Sequence, residues 1–334
     1  MIEYYGYKKE WWIYLQILFL TFCLDENQRV VYETMKSRFE EFGCTSDVLD
    51  LLSFDLNVLP LLKNQCFDSY VAGRFCSKLD DILKEQNYDS VVCLHSHACL
   101  VASAVRKRRS YKFSLFSVEI DYSFHKEYAK LNADKFFITS DKFLSKYCEV
   151  IDENKIETHL VPTKSAVVQN KLISDFCLVF SDSMDKERTV ETVEAAKDIY
   201  HTVLVANKDF NYFKDKLKRY GNVSIVTDVN FDFSNCKAII CSVYSIYKNL
   251  AVDKNIPLIF LSLSSDYKSE EYINLSELGI GVGALTSEDV KNALSAFKNC
   301  LSALSLITSC QRRFKESLAC RDVCKAIIDY NKKT

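Results

Sequence analysis

The feature that most constrains this chain is a regular alternation of short apolar segments with amphipathic helical segments. In the second half, continuous apolar runs of four or five residues are separated by stretches with helical periodicity. These runs are 176–180, 202–206, 223–226, 238–241 and 258–261. Continuous apolar strands between helices are typical of parallel sheets that are covered on both faces. The pattern therefore predicts an α/β fold.

The first half of the chain repeats this alternation. Its predicted strands are 15–22, 45–54, 90–95, 112–120, 135–139 and 158–161. A chain of 334 residues is also long for a single hydrophobic core. We therefore predict two doubly wound, Rossmann-like domains over 1–165 and 170–302, and C-terminal helices over 303–334 that could pack back on the first domain. Two such domains face a cleft, and ligands of such sheets bind beyond the carboxyl ends of the strands.

The composition narrows the classes of partner. Apolar residues make up 48% and charged residues 26%, which is the balance of a folded, soluble protein. The net charge of −2 provides no positive field, so we expect no nucleic-acid partner. The 14 cysteines are spread along the chain, several of them within apolar runs. This distribution favours reduced thiols and a cytoplasmic location.

One segment has the residue types of a metal site. Cys93, His95, His97 and Cys99 alternate along the chain, which would place all four side chains on one face of a strand. Four ligands packed so closely would have poor tetrahedral geometry. We interpret the segment as a strand end that runs into a loop, and we expect no metal and no cofactor.

The N-terminal segment raises the question of membrane contact. The apolar run 11–24 has 14 residues, whereas a spanning helix needs about 20. It also lacks a signal-peptide cleavage site, so a buried first strand fits better. The aromatic residues at its start fit either a membrane interface or an arm packed on the body. These residues are Tyr4, Tyr5, Tyr7, Trp11 and Trp12.

The densest cluster of positive charge is Arg106, Lys107, Arg108 and Arg109. Such a cluster could bind anionic lipid headgroups, with each basic residue contributing about 1 kcal/mol near a charged surface. The alternative is a solvated helix end. Together with the aromatic N-terminus, the cluster suggests a peripheral protein at the inner face of a membrane.

Four stretches of the chain match, in order and spacing, the pattern of a known family. They are 88–98, 121–128, 133–162 and 255–282. In the second, Asp121-Tyr122-Ser-Phe-His125-Lys-Glu-Tyr128 corresponds to Thr-Asp-Tyr-x-x-His-x-x-Trp. The chain thereby resembles the glycosyltransferases that build monogalactosyl- and glucosyl-diacylglycerol, and the related enzyme that adds N-acetylglucosamine to the peptidoglycan lipid precursor.

The resemblance implies the GT-B architecture, with the acceptor bound by the N-terminal domain and a nucleotide-sugar, as in the family a UDP-sugar, by the C-terminal domain. Asp121 would orient or deprotonate an acceptor hydroxyl, and His125 would assist. The alternative for this pair is a capping aspartate and a surface histidine. His95 and His97 lie at the predicted cleft edge, where a binding histidine and a structural histidine are both reasonable.

The resemblance fails where the family binds its donor. The family's Gly-rich turn and its histidine fall on Leu24, Asp25, Glu26 and Asn27, and carboxylates there would repel a pyrophosphate. The donor loops of the second domain fall on 181–184, Ala206-Asn207 and 242–248, with a sugar-reading pair at Tyr267-Lys268. Only 7 glycines remain in the whole chain, and we expect their bulky replacements to be unable to take positive φ.

Substitutes for the donor contacts can nevertheless be named. Ser242 and Ser245 could offer hydroxyls to a phosphate, with Lys248 as countercharge in place of the family's ribose-binding glutamate, and Asn207 nearby. The alternative for Ser242 is a helix N-cap.

Two functions follow from this balance. The first is transfer of a hexosyl group from a nucleotide-sugar to a lipid or glycan hydroxyl. The alternative is a catalytically degenerate glycosyltransferase homologue, a pseudoenzyme that acts as a binding or partner subunit. A third reading, transfer of another group such as glycerol phosphate, would need clustered His and Arg residues that the chain has little of. The sequence leaves open whether the protein is an active enzyme.

Overall fold

The computed structural model describes residues 14–22, 24–54, 69–125, 128, 131–163, 174–227, 232–262, 269–320 and 322–333. Three segments from the sequence analysis lie outside these ranges: the aromatic residues before position 14, the segment 166–169 between the two predicted domains, and the pair Tyr267-Lys268.

The N-terminal domain contains a six-stranded parallel sheet in the order β2-β1-β3-β4-β5-β6. Its strands are β1 Gln16–Thr21, β2 Thr45–Asp50, β3 Ser90–Cys93, β4 Ser114–Val118, β5 Lys135–Ile138 and β6 Ile156–Thr158. The helices that cover it are α1 Glu26–Glu41, α2 Ser69–Glu85, α3 Ser96–Arg109 and the short α4 Leu144–Cys148.

The C-terminal domain repeats this arrangement with the order β12-β11-β10-β7-β8-β9, again parallel. Its strands are β7 Phe176–Phe180, β8 His201–Val205, β9 Val223–Val226, β10 Cys236–Ser242, β11 Leu258–Leu261 and β12 Val282–Ala284. Its helices are α5 Lys186–Lys197, α6 Phe210–Leu217, α7 Lys248–Lys254, α8 Glu270–Leu278, α9 Ser287–Asn299 and α10 Leu301–Ser317. The predicted pair of doubly wound α/β domains is confirmed.

The strand orders fix where each domain can bind a ligand. In the first sheet the order reverses between β1 and β3, and in the second between β7 and β10. Ligands of doubly wound sheets bind at such points, beyond the carboxyl ends of the strands. The segments that follow β1, β3, β7 and β10 therefore form the walls of the cleft.

The chain ends on the domain in which it began. Helix α11, Val323–Asn331, buries Val323 and Ile327 in the same apolar cluster as Ile17 and Val31 of the first domain. The backbone N–H of Ala319 donates to the hydroxyl of Thr158 at 2.8 Å. The C-terminal tail thus crosses back to the first sheet.

Two local predictions were wrong. The strand expected at 158–161 is β6 at Ile156–Thr158, and the helix that the spacing of 244–252 predicts begins only at Lys248. Helix α8 and the short edge strand β12 were not anticipated. Within the described residues, no single helix is long and apolar enough to cross a bilayer, although α9 and α10, bent by 99° at their junction, meet the length and composition only as a pair.

Candidate functional site

A cavity of about 350 Å³ lies in the cleft, between the end of the first sheet and the second domain. The first domain contributes the segments after β1, β3 and β4. The second domain contributes Tyr244, Lys248 and Glu271 on the opposite side. Its polar wall consists of Asp25, Asn27, Gln28, His95, Ser96, Glu119, Asp121, His125, Lys248 and Glu271. The volume falls in the range of small-ligand sites.

Asp121 and His125 meet in this cavity. The loop after β4 brings His125 Nε2 to 2.9 Å from Asp121 Oδ1, and the side chains stay 27% and 37% exposed. Asp121 is held by the backbone N–H of Ser123 and, at its carbonyl, by the hydroxyl of Thr139. Burial acts to raise the pKa of Asp121, but the hydrogen bond and charge of His125 outweigh burial and lower it. The carboxylate is therefore ionised at neutral pH.

Glu119 lines the cavity, although the sequence patterns did not indicate it as a site residue. It follows β4 directly, its side chain is fully buried, and it lies 3.8 Å from His125 Nε2. Burial, reinforced by the charge of Asp121, raises the pKa of Glu119 to about 8. An available signal was a carboxylate placed directly after an apolar strand and two residues before Asp121.

The ligand atoms of Glu119, Asp121 and His125 all lie within 4.8 Å of one another, which is close enough to hold a metal ion. However, both Glu119 oxygens already accept hydrogen bonds from protein donors, and His125 is hydrogen-bonded to Asp121. We therefore describe these three residues as a hydrogen-bonded cluster rather than a metal centre.

His95 has a structural role at the cavity wall. Its Nδ1 accepts the backbone N–H of His97 and so caps α3, and the two rings stack at 5.0 Å. Since Nδ1 is an acceptor, the neutral ring carries its proton on Nε2. Burial, with smaller contributions from His97 and His125, lowers the pKa of His95 to about 3. His95 is thus neutral, and it reaches the cavity as well as capping the helix.

Asn27 bridges the two domains. Its amide nitrogen donates to the carbonyl of Tyr244 at 2.8 Å, and its oxygen accepts the backbone N–H of Ile246 at 3.1 Å. Both ends of the side chain are thus used by the loop that follows β10. Cap geometry places Asn27 there, because Asp25 Oδ1 accepts the N–H of Gln28 and starts α1 at the cleft.

Asn207, expected at the donor site, also bonds across the cleft. Its amide nitrogen donates to Glu26 Oε1 at 2.9 Å, and Lys208 lies 3.5 Å from the other oxygen of the same carboxylate. The N-terminus of α1 therefore contacts the loops after both β8 and β10.

Lys248, expected to face a phosphate, points inward instead. Its Nζ lies 2.9 Å from Glu271 Oε1 and donates to the carbonyl of Ser245 at 3.0 Å, and the side chain is 2% exposed. Burial raises the pKa of Glu271 although Lys248 opposes this shift. The two side chains form a buried ion pair under the roof of the cavity.

Tyr122 inserts from the first domain into the core of the second. The side chain is 1% exposed, lies 6.0 Å from the ring of Phe314, and donates from its hydroxyl to Asn249 Oδ1 at 2.8 Å. Its backbone carbonyl accepts from Asn274, and its N–H donates to Glu271. The loop that carries Asp121 and His125 is thereby fixed to the second domain.

The chain is similar to known proteins in one stretch of its sequence and in its fold. Residues 57–162 match the profile of the monogalactosyldiacylglycerol (MGDG) synthase family. No curated protein matches the chain. The calicheamicin glycosyltransferase CalG4 has a similar structure, with a TM-score of 0.67, 11% identity, and coverage of 96% of this chain and 98% of that one. The chain has the GT-B fold and resembles the MGDG synthases.

Two further solved structures are similar to this chain in fold. MurG of Acinetobacter baumannii has a TM-score of 0.64 at 11% identity, and the alignment covers 96% of this chain and all of that one. A UDP-GlcNAc 2-epimerase from Neisseria meningitidis, bound to UDP-GlcNAc, has a TM-score of 0.59 at 10% identity, with 96% and 100% coverage. The MGDG synthase match contains the Asp121–His125 pair and ends before the second domain. The match to the MGDG synthase family supports glycosyl transfer as the class of function, and the structural likenesses support the GT-B fold.

Two residues in the donor-side loops take the left-handed backbone conformation. Ser183, in the loop after β7, has a φ of 58°, and Asp209, after β8, has a φ of 57°. Both are small polar residues, which tolerate this region, so the expectation about bulky replacements stays a prediction. These loops surround a second cavity of about 230 Å³.

Aromatic packing narrows this second cavity. Tyr247 stacks on Phe180 with ring centroids 4.0 Å apart, and both rings line it. Ser242 is the last residue of β10, and its hydroxyl accepts the N–H of Tyr244, while Ser245 accepts the N–H of Tyr247. The alternative of Ser242 as a helix N-cap is thus wrong. The two hydroxyls stabilise a turn between β10 and α7, and α7 begins only at Lys248.

The basic cluster, 106–109, lies beside the amino ends of the strands of the first sheet, opposite the cavity. Helix α3 begins at the cleft and runs back to the start of β4, so its last residues are far from the cavity wall. Arg106 pairs with Asp134 and Arg109 with Asp80, while Lys107 and Arg108 are exposed. A membrane bound by this cluster would face away from the cleft.

Proposed function

We propose that this protein transfers a hexosyl group from a nucleotide-sugar, a UDP-sugar by analogy with the bound ligand of its epimerase neighbour, to a hydroxyl group of a lipid or glycan. The observation that carries the proposal is the Asp121–His125 pair, hydrogen-bonded and half-exposed in the interdomain cavity. An ionised carboxylate at that place can accept a hydroxyl proton.

The roles follow from the geometry of the pair. His125 Nε2 binds Asp121 Oδ1, so Oδ2 is the oxygen that would take the proton of the acceptor hydroxyl. The imidazole of His125 orients the Asp121 carboxylate and stabilises its negative charge until the carboxylate takes the proton. His95, neutral with its proton on Nε2, would donate a hydrogen bond to the acceptor. The lipid acceptor and the location at a membrane face belong to the proposal.

The experiment is calorimetry against UDP, UDP-glucose, UDP-galactose, UDP-N-acetylglucosamine and GDP-mannose, followed by a transfer assay with whichever binds. Micromolar binding of one donor and transfer that is lost in Asp121→Asn would support the proposal. The matched control is Asp215→Asn, which changes an aspartate that is 80% exposed on α6. Transfer that persists in Asp121→Asn would overturn the assignment of the pair.

A second candidate is a non-catalytic partner subunit. A specific observation favours it, namely that the side chains at three positions where the chain departs from the family residue bond to protein: Asn27, at the acceptor and cleft side, to the β10 loop, Asn207 to Glu26, and Lys248 to Glu271. Absence of binding below millimolar across the whole nucleotide panel would select this candidate. A pull-down with the wild-type protein and the cleft variant Asn27→Ala would then test for a protein partner.

A further inference from the structure

Glu119 lies two residues before Asp121, outside the motif 121–128 that resembles the MGDG synthases. It nevertheless lines the cavity, and its carboxyl group is fully buried. A buried carboxyl group is costly unless its oxygens are hydrogen-bonded. The hydrogen bonds that compensate for the burial of this carboxyl group indicate the role of Glu119.

The first contact runs through Tyr147. The Tyr147 hydroxyl donates to Glu119 Oε1 at 2.5 Å and accepts the backbone N–H of His125 at 2.9 Å. The ring is held by Phe124, at a centroid distance of 4.7 Å, and by Tyr128 at 5.4 Å. A rigid tyrosine thus joins the carboxyl group of Glu119 to the main chain of His125.

The second contact runs through Thr139. Its backbone N–H donates to Glu119 Oε2 at 2.9 Å, and its hydroxyl donates to the carbonyl of Asp121 at 2.6 Å. Glu119 therefore has one connection to each member of the Asp121–His125 pair, and each passes through a single residue.

We propose that Glu119 is a positioning residue that holds His125 against Asp121, acting through the Tyr147 hydroxyl on one side and through Thr139 on the other. The catalytic meaning of this role rests on the proposed function, but the positioning itself is a property of the protein alone. His125 Nε2 lies between Asp121 at 2.9 Å and Glu119 at 3.8 Å. The ring is thus hydrogen-bonded to Asp121 and has the carboxyl group of Glu119 beside the same nitrogen.

The other ionisable groups around His125 come from both domains. Tyr128 and Tyr147 pack near it, His95 lies across the cavity, and Lys248 and Glu271 close it from above. Burial raises the pKa of Glu119 to about 8, so the proton of Glu119 is lost in a range that NMR can follow. Two interacting groups titrate as a pair, and each one reports the ionisation of the other.

The test is NMR titration of the histidine side chains, of which the chain has only five. We expect the His125 ring signals of the wild type to show a second inflection near pH 8, from Glu119. In Glu119→Gln that inflection disappears, because the variant has no carboxyl group to titrate there. In Tyr147→Phe the inflection remains, because the charge is still there, but the shifts of His125 change because its main chain is released. His125→Asn assigns the signals.

The matched control is Glu194→Gln. Glu194 also accepts a tyrosine hydroxyl, that of Tyr220 at 2.7 Å, but in the second domain. We expect this change to leave His125 unaffected. An unaltered circular dichroism spectrum and unaltered backbone amide signals outside the cavity in each variant confirm that the fold is intact.

Three outcomes would overturn the inference. They are a Glu119→Gln titration of His125 that superimposes on the wild type, an equal effect of Glu194→Gln, and selective broadening of the His125 signals by micromolar Mn²⁺, which would show a metal site. Because no donor or acceptor is needed, the result is separate from the proposed function. If Glu119→Gln changes the His125 titration as expected but the wild type transfers no sugar, only the proposed function is refuted. If the wild type transfers sugar but Glu119→Gln leaves the His125 titration unchanged, only the role of Glu119 is refuted.

Discussion

The two sides of the cleft differ in what their polar groups bind. On the acceptor side, Asp121 and His125 bind each other and remain open to the cavity. On the donor side, Asn207 and Lys248 bind protein groups, Glu26 across the cleft and Glu271 within the second domain. The pair that matches the family motif is open to the cavity, whereas the two donor-side residues that differ from the family pattern bond to protein. This difference separates the proposed activity from the partner-subunit alternative, and each prediction below tests one side of it.

The largest effect is expected on the acceptor side. Asp121→Asn keeps the shape of the side chain but removes the proton acceptor, so we expect transfer to fall by about 10²- to 10⁴-fold, the usual contribution of a general base. Affinity for the nucleotide should stay the same, because Asp121 belongs to the first domain. Initial rates and calorimetry on the same preparation measure the two quantities. A parallel loss of both would place Asp121 at the donor instead.

The next effect concerns the buried ion pair on the donor side. Lys248→Met leaves Glu271 buried without its partner, which should reduce the free energy of unfolding by about 3–5 kcal/mol. Adding Glu271→Gln removes the stranded charge and should recover part of the loss. Urea unfolding of the single and double variants measures both. A loss well under 1 kcal/mol for Lys248→Met would mean that the lysine is available to a ligand.

The third effect tests the connection between the two sides. Tyr122→Phe leaves Asn249 Oδ1 without the hydroxyl that it binds, which should cost about 1–3 kcal/mol of unfolding free energy. The control is Tyr14→Phe, at a tyrosine that is 81% exposed. We expect the variant to separate the unfolding of the two domains into distinct steps. A single unshifted transition would show that Tyr122 does not couple them.

A smaller effect is expected at Asn27. Asn27→Ala removes two hydrogen bonds across the cleft, each contributing about 0.5–1.5 kcal/mol. If these bonds hold the donor side shut, affinity for the nucleotide should rise by up to about tenfold, since opening then costs less. The exposed Asn299→Ala serves as control. Loss of nucleotide binding would instead make Asn27 a ligand contact.

The sequence was sufficient for the parts that depend on local pattern. Continuous apolar runs predicted nearly every strand, and the resemblance to the family motif singled out Asp121 and His125 as a pair. The failures involve contacts between distant positions, such as Asn27 with Tyr244, which are 217 residues apart. Nothing in the neighbourhood of either residue signals that contact. Lys248 was misjudged for a related reason, because its partner Glu271 lies on a helix that the periodicity did not reveal.

The least effect is a difference in pH dependence between the sides. Burial lowers the pKa of His95 to about 3 and, reinforced by Glu26, raises the pKa of Asp182 to about 6. Since a histidine with a lowered pKa binds fewer protons when folded, its contribution to stability is present above about pH 6.5 and is lost as the pH falls toward 3. An aspartate with a raised pKa binds more protons when folded, so its contribution is present below about pH 3.9 and is lost as the pH rises through 6.

The two groups therefore give opposite slopes between about pH 4 and 6, each at most about 1.4 kcal/mol per pH unit. His95→Gln should remove the rise of stability with pH, and Asp182→Asn should remove the fall, so that the two variants diverge from the wild type in opposite directions. Urea unfolding at intervals across this range measures the slopes. If both variants changed the slope in the same direction, the acceptor and donor walls would share one titrating cluster, and the contrast between the two sides of the cleft would not hold.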